Sequence, residues 1–461
     1  MRERLGQSLH VLAHAVFSAL LVLGCLSTSW RDNPFLNALR FRMRWGDMAF
    51  DISMVLLLPL AILILWPVGL LLQRSWNDVS IRLWARWWLV FPALGFGALT
   101  LIRIFPIHIQ LKANIALMNI LIFWFVFLYA WVALPSRWAW SVFGLLLIVQ
   151  GAVATGQFVL QGPMGLPVFH EVAPGPMGAG ASVIEASGRR WLRAYGLTPH
   201  PNVLGGYLSI MVCFVAGAWG TAPRRRRWLL ASLGFGVAGT FVSFSRSAWL
   251  GLGAGALYAM ALLRPWTRWA VLSKTQRHRW IWIAVGVGVV LVILGLTFRD
   301  LLITRFLRLG NPLESASIRE RIRDAGQAWM LIRNRPLRGV GTGTYVEALW
   351  AWAHATGREF PAFQHVHNVP LLAAAELGLG GAVLWLWLVL APVVDGWMRT
   401  QSAQGITLSR AGLSAAFVVA LTVGMTDYFL YLPTTLWPAF YLGVLGGMAA
   451  RSTLDTGGAA L

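Results

Sequence analysis

Apolar stretches separated by short polar segments recur along the whole sequence. Most are about 17 to 25 residues long, which is the length that a helix needs to cross a bilayer. Because a spanning helix satisfies its own backbone hydrogen bonds, the pattern predicts an all-α polytopic membrane protein with one integral membrane domain over residues 1–461. About twelve spans are predicted, with the approximate bounds 10–28, 52–73, 84–104, 112–134, 138–160, 202–220, 227–243, 247–264, 279–298, 369–396, 409–430 and 434–450.

Two longer segments interrupt this pattern. Residues 161–201 are rich in glycine and proline, and residues 299–366 form a large loop between the ninth and tenth predicted spans. A helix is predicted within the second loop, near 318–334, because Ser317 and Glu320 have the spacing of a capping box at its start. Apolar side chains recur along this helix at helical spacing as a stripe of Ile318, Ile322, Ala325, Trp329 and Ile332.

The composition excludes a soluble protein, since 57% of the residues are hydrophobic and only 12% are charged. The formal net charge of +21 comes almost entirely from arginine. In a soluble protein such a charge favours nucleic acid as partner, but cytoplasmic loops of membrane proteins are basic for a different reason. We therefore expect membrane lipids, and not nucleic acid, around this chain. Cys25 and Cys213 both lie in apolar segments and predict no metal site.

The distribution of positive charge predicts the orientation. Four consecutive arginines lie in "APRRRRW" (222–228), and five Lys/Arg lie in residues 264–280. These segments are two spans apart, so both are expected in the cytoplasm together with both termini. The two long loops and the turn "SFSRSAW" (243–249) are then extracytoplasmic. The segment 30–47 fits poorly, because its four arginines would face outward, and it is interpreted as an interfacial helix.

Candidate chemistry concentrates at this outer face. His365, His367 and Asn368 directly precede the tenth span, where Asn368 either caps the helix or orients an imidazole. A histidine with an ordinary pKa can act as a general base, although a loop histidine can equally be an interfacial cap. Glu376 and Asp427 are the conspicuous acids of the apolar segments, and each is equally compatible with pairing to an arginine and with acting on substrate.

Arginines accompany these histidines. Arg193 lies before a helix expected to open at Asn202 as its N-cap, and Arg246 lies at the boundary of two tightly joined spans, where an unpaired charge is costly. Guanidinium groups bind phosphate oxygens in pairs and stay charged. Converging arginines with a histidine base therefore suit a transfer whose leaving group is a lipid diphosphate. The outer face has no pair of acidic residues that would indicate a metal site.

In the predicted loop helix, Arg319 and Arg323 share one edge and Arg321 projects from the opposite edge. An alternative is that this helix lies on the membrane surface, with its arginines on lipid phosphates. Glycines 339, 341 and 343 in "PLRGVGTGTY" predict a tight turn of structural importance.

Four motifs carry a resemblance: "RAYGLTPHPN" (193–202), "SFSRSAW", "RERIRDAGQAW…PLRGVGTGTY" and "HNVPLLAAAELGLGGAV" (367–383). In this order they resemble signatures of the O-antigen ligase/polymerase superfamily. The resemblance implies a GT-C-like, inverting glycosyltransferase of the bacterial cytoplasmic membrane, without metal or other cofactor. Such enzymes move a glycan from undecaprenyl diphosphate to an acceptor glycan or glycolipid at the outer face.

The resemblance also implies site residues. His367 is the expected base, Arg193 and Arg246 match family arginines, and Arg321 is the best match in the loop helix, with the choice among it, Arg319 and Arg323 open. Supporting roles are expected for Asn202, Asn368, Tyr195 and Glu376.

Several functions remain open at this point. A polysaccharide polymerase shares these motifs with a ligase and differs in its acceptor, and a protein O-oligosaccharyltransferase is a third reading. A transporter also suits twelve helices, but transporters are commonly built from related halves, and the sequence has no such repeat.

Overall fold

The computed structural model describes residues 2–26, 40–45, 48–53, 87–104, 110–166, 169, 171–220, 226–265, 274, 277–278, 292, 294–306, 312–358, 360, 363–401, 406–433 and 437–451. The helices of this part are α1 Arg2–Leu26, α2 Trp87–Ile102, α3 Gln110–Val132, α4 Ser136–Leu160, α5 Pro201–Ala216 with a 3-10 turn Gly217–Gly220, α6 Arg226–Val242, α7 Arg246–Leu263, α8 Arg299–Phe306, α9 Pro312–Asn334, α10 Tyr345–Thr356, α11 Val369–Leu377, α12 Leu379–Arg399, α13 Leu408–Gly424 and α14 Trp437–Ala450. The strands are β1 Arg40–Trp45, β2 Met48–Ser53, β3 Val183–Ala186 and β4 Arg189–Leu192.

The helical framework is that of a polytopic membrane protein. Five stretches are long and apolar enough to span a bilayer, namely Leu5–Val22, Ile115–Val132, Ser136–Leu160, Pro201–Trp219 and Leu379–Arg399. Shorter apolar helices are α2, α13 and α14. Each predicted span coincides with a helix except 52–73 and 279–298, which lie mostly outside the described residues.

Helix α5 is the centre of the bundle. In its spanning stretch 89% of the residues are buried, because α4, α6, α7 and α13 all pack against it. Small residues allow close crossings nearby: a Cβ on Gly151 of α4 would lie 2.1 Å from the carbonyl oxygen of Phe235 on α6. The end of α5 that carries His200 is thereby fixed relative to four neighbouring helices.

Two short hairpins accompany the helices, and the framework is otherwise helical, as predicted. Strands β1 and β2 pair antiparallel with Arg40 opposite Ser53, so the interfacial helix expected within 30–47 is wrong for its described residues. Alternation of arginine with larger apolar residues in "RFRMRW" has a period of two, which suits a strand and not a helix. Strands β3 and β4 form the second hairpin, and β3 packs against α8.

The predicted tenth span, 369–396, is broken into α11 and α12. Gly378 lies between them with φ +81°, a conformation that L side chains rarely adopt. The break frees backbone groups that the surrounding chain must satisfy. Leu379 N–H donates to Pro336 O over 2.8 Å, which ties the start of α12 to the loop that follows α9.

The glycine turn 339–343 closes this break. Its N–H groups donate to the last carbonyls of α11, from Val340 to Ala375 O at 2.8 Å and from Gly341 to Glu376 O at 2.9 Å. Gly339 has φ +65°, and a Cβ there would lie 2.2 Å from Glu376 O. The predicted tight turn is confirmed, and its glycines are needed for this approach of backbone to backbone.

Helix α9 confirms the predicted loop helix but begins earlier. It starts at Pro312, so Ser317 lies inside it and the capping box is wrong. Proline suits the first turn of a helix because its missing N–H would have no partner there. The apolar stripe is mostly exposed, with Ile322 69% and Trp329 57% accessible, whereas Ile332 is buried. The protein-facing side of α9 includes the fully buried carboxylate of Asp324.

Candidate functional site

His367 lies in the short segment between α10 and α11. Asn368 is the N-cap of α11, as predicted, since its Oδ1 accepts from Leu371 N–H at 2.9 Å. Asn368 Nδ2 also donates to Met425 O at 2.9 Å, so the cap is attached to the end of α13. These bonds fix the backbone that carries the imidazole.

The imidazole faces a buried carboxylate. Nδ1 of His367 is buried and lies 3.4 Å from Oδ2 of Asp324, which allows charge attraction but is longer than a strong hydrogen bond. Asp324 Oδ2 also accepts from Gln364 Nε2 at 2.8 Å, and its Oδ1 accepts from Arg323 Nη2 at 2.9 Å. Asp324 has no exposed surface, so its charge depends on these partners.

His365 occupies a different environment from His367. Its ring stacks between Tyr345 and Tyr428, with centroid separations of 6.0 and 5.1 Å. The ring of Tyr428 meets His367 edge to face at 5.6 Å. Burial, and then the charge of Asp324, raises the pKa of the Tyr345 phenol, and burial followed by Asp427 raises the pKa of Tyr428. Both phenols therefore stay protonated near neutral pH.

Arg193 is buried, with 4% of its surface exposed, and binds three protein acceptors. Its Nε donates to Ser243 O at 2.9 Å, Nη1 to Ser182 Oγ at 2.8 Å and Nη2 to Asn202 Oδ1 at 2.6 Å. Asn202 Nδ2 in turn donates to Asp427 Oδ2 at 3.0 Å. Arg193 is thus part of a chain of polar groups that joins the "RAYGLTPHPN" loop to the segment after α13.

The turn between α6 and α7 is bound by two arginines and followed by a third. Arg305 of α8 donates from Nε to Phe244 O at 3.1 Å, beside the carbonyl of Ser243 that Arg193 binds. Phe244 is fully buried with φ +46°, a strained conformation for a non-glycine residue. Arg246 follows as the first residue of α7, whose N-cap is Ser245. Its backbone therefore lies three residues after Ser243 and two after Phe244, whose carbonyls accept from Arg193 and Arg305.

His200, and not Asn202, is the N-cap of α5. Pro201 is the first helical residue, and His200 Nδ1 accepts from Asn202 N–H at 3.1 Å. The predicted Asn202 cap is wrong, because Asn202 lies inside the first turn and uses its side chain on Arg193 and Asp427. An accepting Nδ1 leaves the proton of a neutral imidazole on Nε2.

The electrostatic surroundings of His200 define the site. Burial is the largest cause that lowers the pKa of His200 to about 3, so it is neutral at physiological pH. The positive charges of Arg193, Arg305 and Arg321 lower it further, and His367 also lies close enough to act on it. The loop before α5, the helices α8 and α9 and the segment before α11 thus contribute to one cluster.

The three candidate arginines of α9 differ in position. Arg319 is exposed, whereas Arg323 is partly buried and binds Asp324. Arg321 is partly buried and acts on His200. Of the three, Arg321 is the one whose charge contributes to the lowered pKa of His200.

Tyr195 and Glu376 hold backbone in place. The Tyr195 hydroxyl accepts from the N–H of Ser182 at 2.8 Å, the same serine whose hydroxyl accepts from Arg193. Glu376 is fully buried and accepts from Gly343 N–H at 2.7 Å and from the Tyr431 hydroxyl at 2.9 Å. Glu376 therefore connects α11 to the glycine turn and to the segment after α13.

Sequence reasoning missed three site residues. His200 had a usable signal, since a proline at the first helical position makes the preceding residue the cap. Asp324 and Arg305 had none, because both are ordinary members of a charged loop whose contacts are distant in sequence. Among the described residues, no group of three or more His, Cys, Asp or Glu side chains could hold a metal ion.

Part of the chain matches a known protein family. Residues 231–386 match the family model described as O-Antigen ligase. The matched range includes Arg246, Arg305, Arg321, Asp324 and His367, and it ends before Asp427. No curated protein matches the chain.

Proposed function

We propose that this multi-pass membrane enzyme of the O-antigen ligase family moves a glycan from undecaprenyl diphosphate to an acceptor hydroxyl at the outer face of the bacterial cytoplasmic membrane. The family domain indicates glycosyl transfer of the O-antigen ligase/polymerase type and lipid-linked glycan substrates in general. The observation that carries the finer proposal is the position of His367 directly before α11, with its Nδ1 3.4 Å from the buried carboxylate of Asp324 on the arginine-bearing helix α9.

His367 is the general base of the proposed reaction. Its Nδ1 faces Asp324, which leaves Nε2 to accept the proton of the acceptor hydroxyl. The acceptor oxygen attacks the anomeric carbon as the bond from that carbon to the diphosphate oxygen breaks. Attack opposite the leaving group inverts the anomeric centre, and the undecaprenyl diphosphate departs with the bonding electron pair.

Arginines bind the diphosphate in this proposal. We assign the direct contacts to Arg246 and Arg321, because both side chains are partly accessible. Arg246 begins α7 directly after the turn that Arg193 and Arg305 bind, and the charge of Arg321 acts on His200. Arg193 adds positive charge, but three of its nitrogens already donate hydrogen bonds to protein acceptors. We therefore propose that its main role is to fix the position of the 243–246 turn. Fixed cations at a leaving group stabilise the charge that develops there.

No divalent cation is required in this proposal. The developing negative charge is met by guanidinium groups, which bind phosphate bidentately without a metal. The chemistry of the described residues supports this, since the carboxylate of Asp324 that faces His367 is already bound by Arg323 and Gln364.

The orientation is also proposed. The arginine-rich segments 222–228 and 264–280 support a cytoplasmic position for themselves and for both termini. The ends of α5, α7 and α11 that carry His200, Arg246 and His367 then face outward. This places the reaction at head-group depth, where the diphosphate reaches the surface while the lipid stays in the bilayer.

Reconstitution tests the proposal. Purified protein in lipid vesicles receives a lipid-diphosphate-linked glycan and, in separate reactions, a glycolipid acceptor, a growing glycan or an acceptor protein. We expect transfer to a glycolipid, with loss of at least roughly 10²-fold in rate for His367→Ala and little loss for His365→Ala. Transfer only to the growing glycan would establish the polymerase instead. Full activity of both histidine variants would remove the histidine base from the mechanism.

A further inference from the structure

We propose that Asp324 is a positioning residue for His367, holding the imidazole in the tautomer that accepts a proton at Nε2. The inference rests on the proposed function, because it takes His367 as the base. It adds a carboxylate–imidazole dyad that pairs the loop helix α9 with the segment before α11.

The geometry gives the two carboxylate oxygens different tasks. Oδ1 accepts hydrogen bonds from both Nε and Nη2 of Arg323, at 3.2 and 2.9 Å. Oδ2 accepts from Gln364 at 2.8 Å and is the oxygen that lies 3.4 Å from His367 Nδ1. Arg323 therefore orients the carboxylate from one side and leaves a lone pair of Oδ2 for the imidazole.

The position of Asp324 in its helix is also fixed. The hydroxyl of Tyr345 on α10 donates to the carbonyl oxygen of Asp324 at 3.4 Å, and the side chain of Asp324 has no exposed surface. Gln364, which shares Oδ2, lies three residues before His367 in the same segment. A carboxylate fixed in this way can in turn fix the ring that faces it, as outer partners of catalytic histidines generally do.

The charge of Asp324 is a second argument for its role beside His367. The positive charges near His200 include those of Arg193, Arg305 and Arg321, which attract a diphosphate but oppose an imidazolium. When His367 takes the acceptor proton, both ring nitrogens carry hydrogen, and Nδ1–H then faces the negative Oδ2. The interaction strengthens as the positive charge develops, so it lowers the barrier and not only the energy of the bound state.

A purely structural role for Asp324 predicts different results. If the carboxylate only ties α9 to the segment 364–368, its removal lowers stability and leaves the tautomer and the catalytic constant of the folded fraction unchanged. If it positions His367, a variant that folds and binds donor normally still loses turnover. The tautomer of His367 separates these roles directly.

The experiment compares three variants of the full-length protein in lipid nanodiscs. Asp324→Asn keeps the size of the side chain and removes its charge, Asp324→Glu keeps the charge, and Glu320→Gln is the matched control, an exposed acid one turn earlier on α9. We expect Asp324→Asn to lower kcat by about 10² to 10⁴-fold with KM for the lipid-linked donor changed less than about threefold. Asp324→Glu should recover part of kcat, and Glu320→Gln should match the wild type.

Nitrogen-15 NMR of histidine-labelled protein provides the second readout. The His367 signal is assigned as the one missing from His367→Gln, and we expect the Nδ1–H tautomer in the wild type and the Nε2–H tautomer in Asp324→Asn. An Nε2–H tautomer in the wild type overturns the dyad even if Asp324→Asn does not fold. Normal kcat in Asp324→Asn with an inactive His367→Ala also overturns the dyad while the proposed base stands. Normal kcat in His367→Ala removes the base itself.

Discussion

Replacement of Arg193 by lysine separates a framework role from a ligand role. The guanidinium donates from three different nitrogens to Ser243, Ser182 and Asn202. One ammonium nitrogen cannot reach three acceptors that surround a planar fork. We expect at least two of these bonds to be lost in Arg193→Lys, while the positive charge stays.

The magnitude follows from burial. A hydrogen bond to a charged group contributes about 1.5 to 3 kcal/mol, so two lost bonds cost about 3 to 6 kcal/mol. Arg193 is 4% exposed, so water cannot replace the lost partners without rearrangement. In a chain of this size such a loss lowers the unfolding midpoint by roughly 3 to 6 °C.

The assay is thermal unfolding in nanodiscs, measured by intrinsic tryptophan fluorescence, together with donor binding and transfer. Arg333→Lys is the matched control, because Arg333 is exposed at the end of α9. An Arg193→Lys protein with the wild-type midpoint but no donor binding would make Arg193 a diphosphate ligand first. A wild-type midpoint together with normal transfer would refute the reasoning from its contacts.

Four further predictions follow from other parts of the molecule. In a chain with both native cysteines replaced by serine, an impermeant thiol reagent should label a cysteine at Glu320 from outside intact cells and should not label one at Arg226; the reverse result would invert the proposed topology. Transfer should persist in EDTA, and activity that disappears and returns with Mg²⁺ or Mn²⁺ would contradict a metal-free clamp. His200 is neutral in the folded protein down to about pH 3, whereas in the unfolded chain it binds a proton below about pH 6.5. Its contribution to stability is therefore present above pH 6.5 and is lost as the pH falls. His200→Gln should weaken this acid sensitivity of the unfolding midpoint. Gly339→Ala should lower that midpoint, since its Cβ would lie 2.2 Å from Glu376 O, whereas Gly326→Ala on α9, with no atom within 4 Å, should not.

The spans could be read from the sequence because burial in lipid requires long apolar runs, which are a local property. The break at Gly378 could not be read from the sequence, since the apolar run continues on both sides. Nothing in "AELGLGGAV" shows which of its glycines has a positive φ. The closing turn at 339–343 was recognised as tight from its glycines. Its partner, the end of α11, is a tertiary contact that hydrophobic periodicity does not encode.

The site was predicted in part for a similar reason. His367 and Arg246 stand out in the sequence because an ionisable residue at the end of a span costs free energy unless it is paired or faces water. Asp324 does not stand out, since it lies among the charges of "RERIRD", and its burial depends on the segment 364–368 folding over α9. The face of a helix that becomes buried is decided by what packs on it, and here a carboxylate is buried while Ile322 stays exposed.

The break at Gly378 has a mechanical consequence. Bilayers differ in thickness, and a long helix adapts to them by tilting, at a modest cost per ångström of mismatch. If α11 and α12 formed one continuous helix, any tilt of that helix would displace His367, which lies directly before its first residue. The hinge at Gly378 and the bonds from the 339–343 turn attach α11 to the extramembrane part instead. We therefore expect part of any tilt of α12 to be taken up at Gly378, so that transfer varies less between thin and thick membranes than it would with a continuous helix.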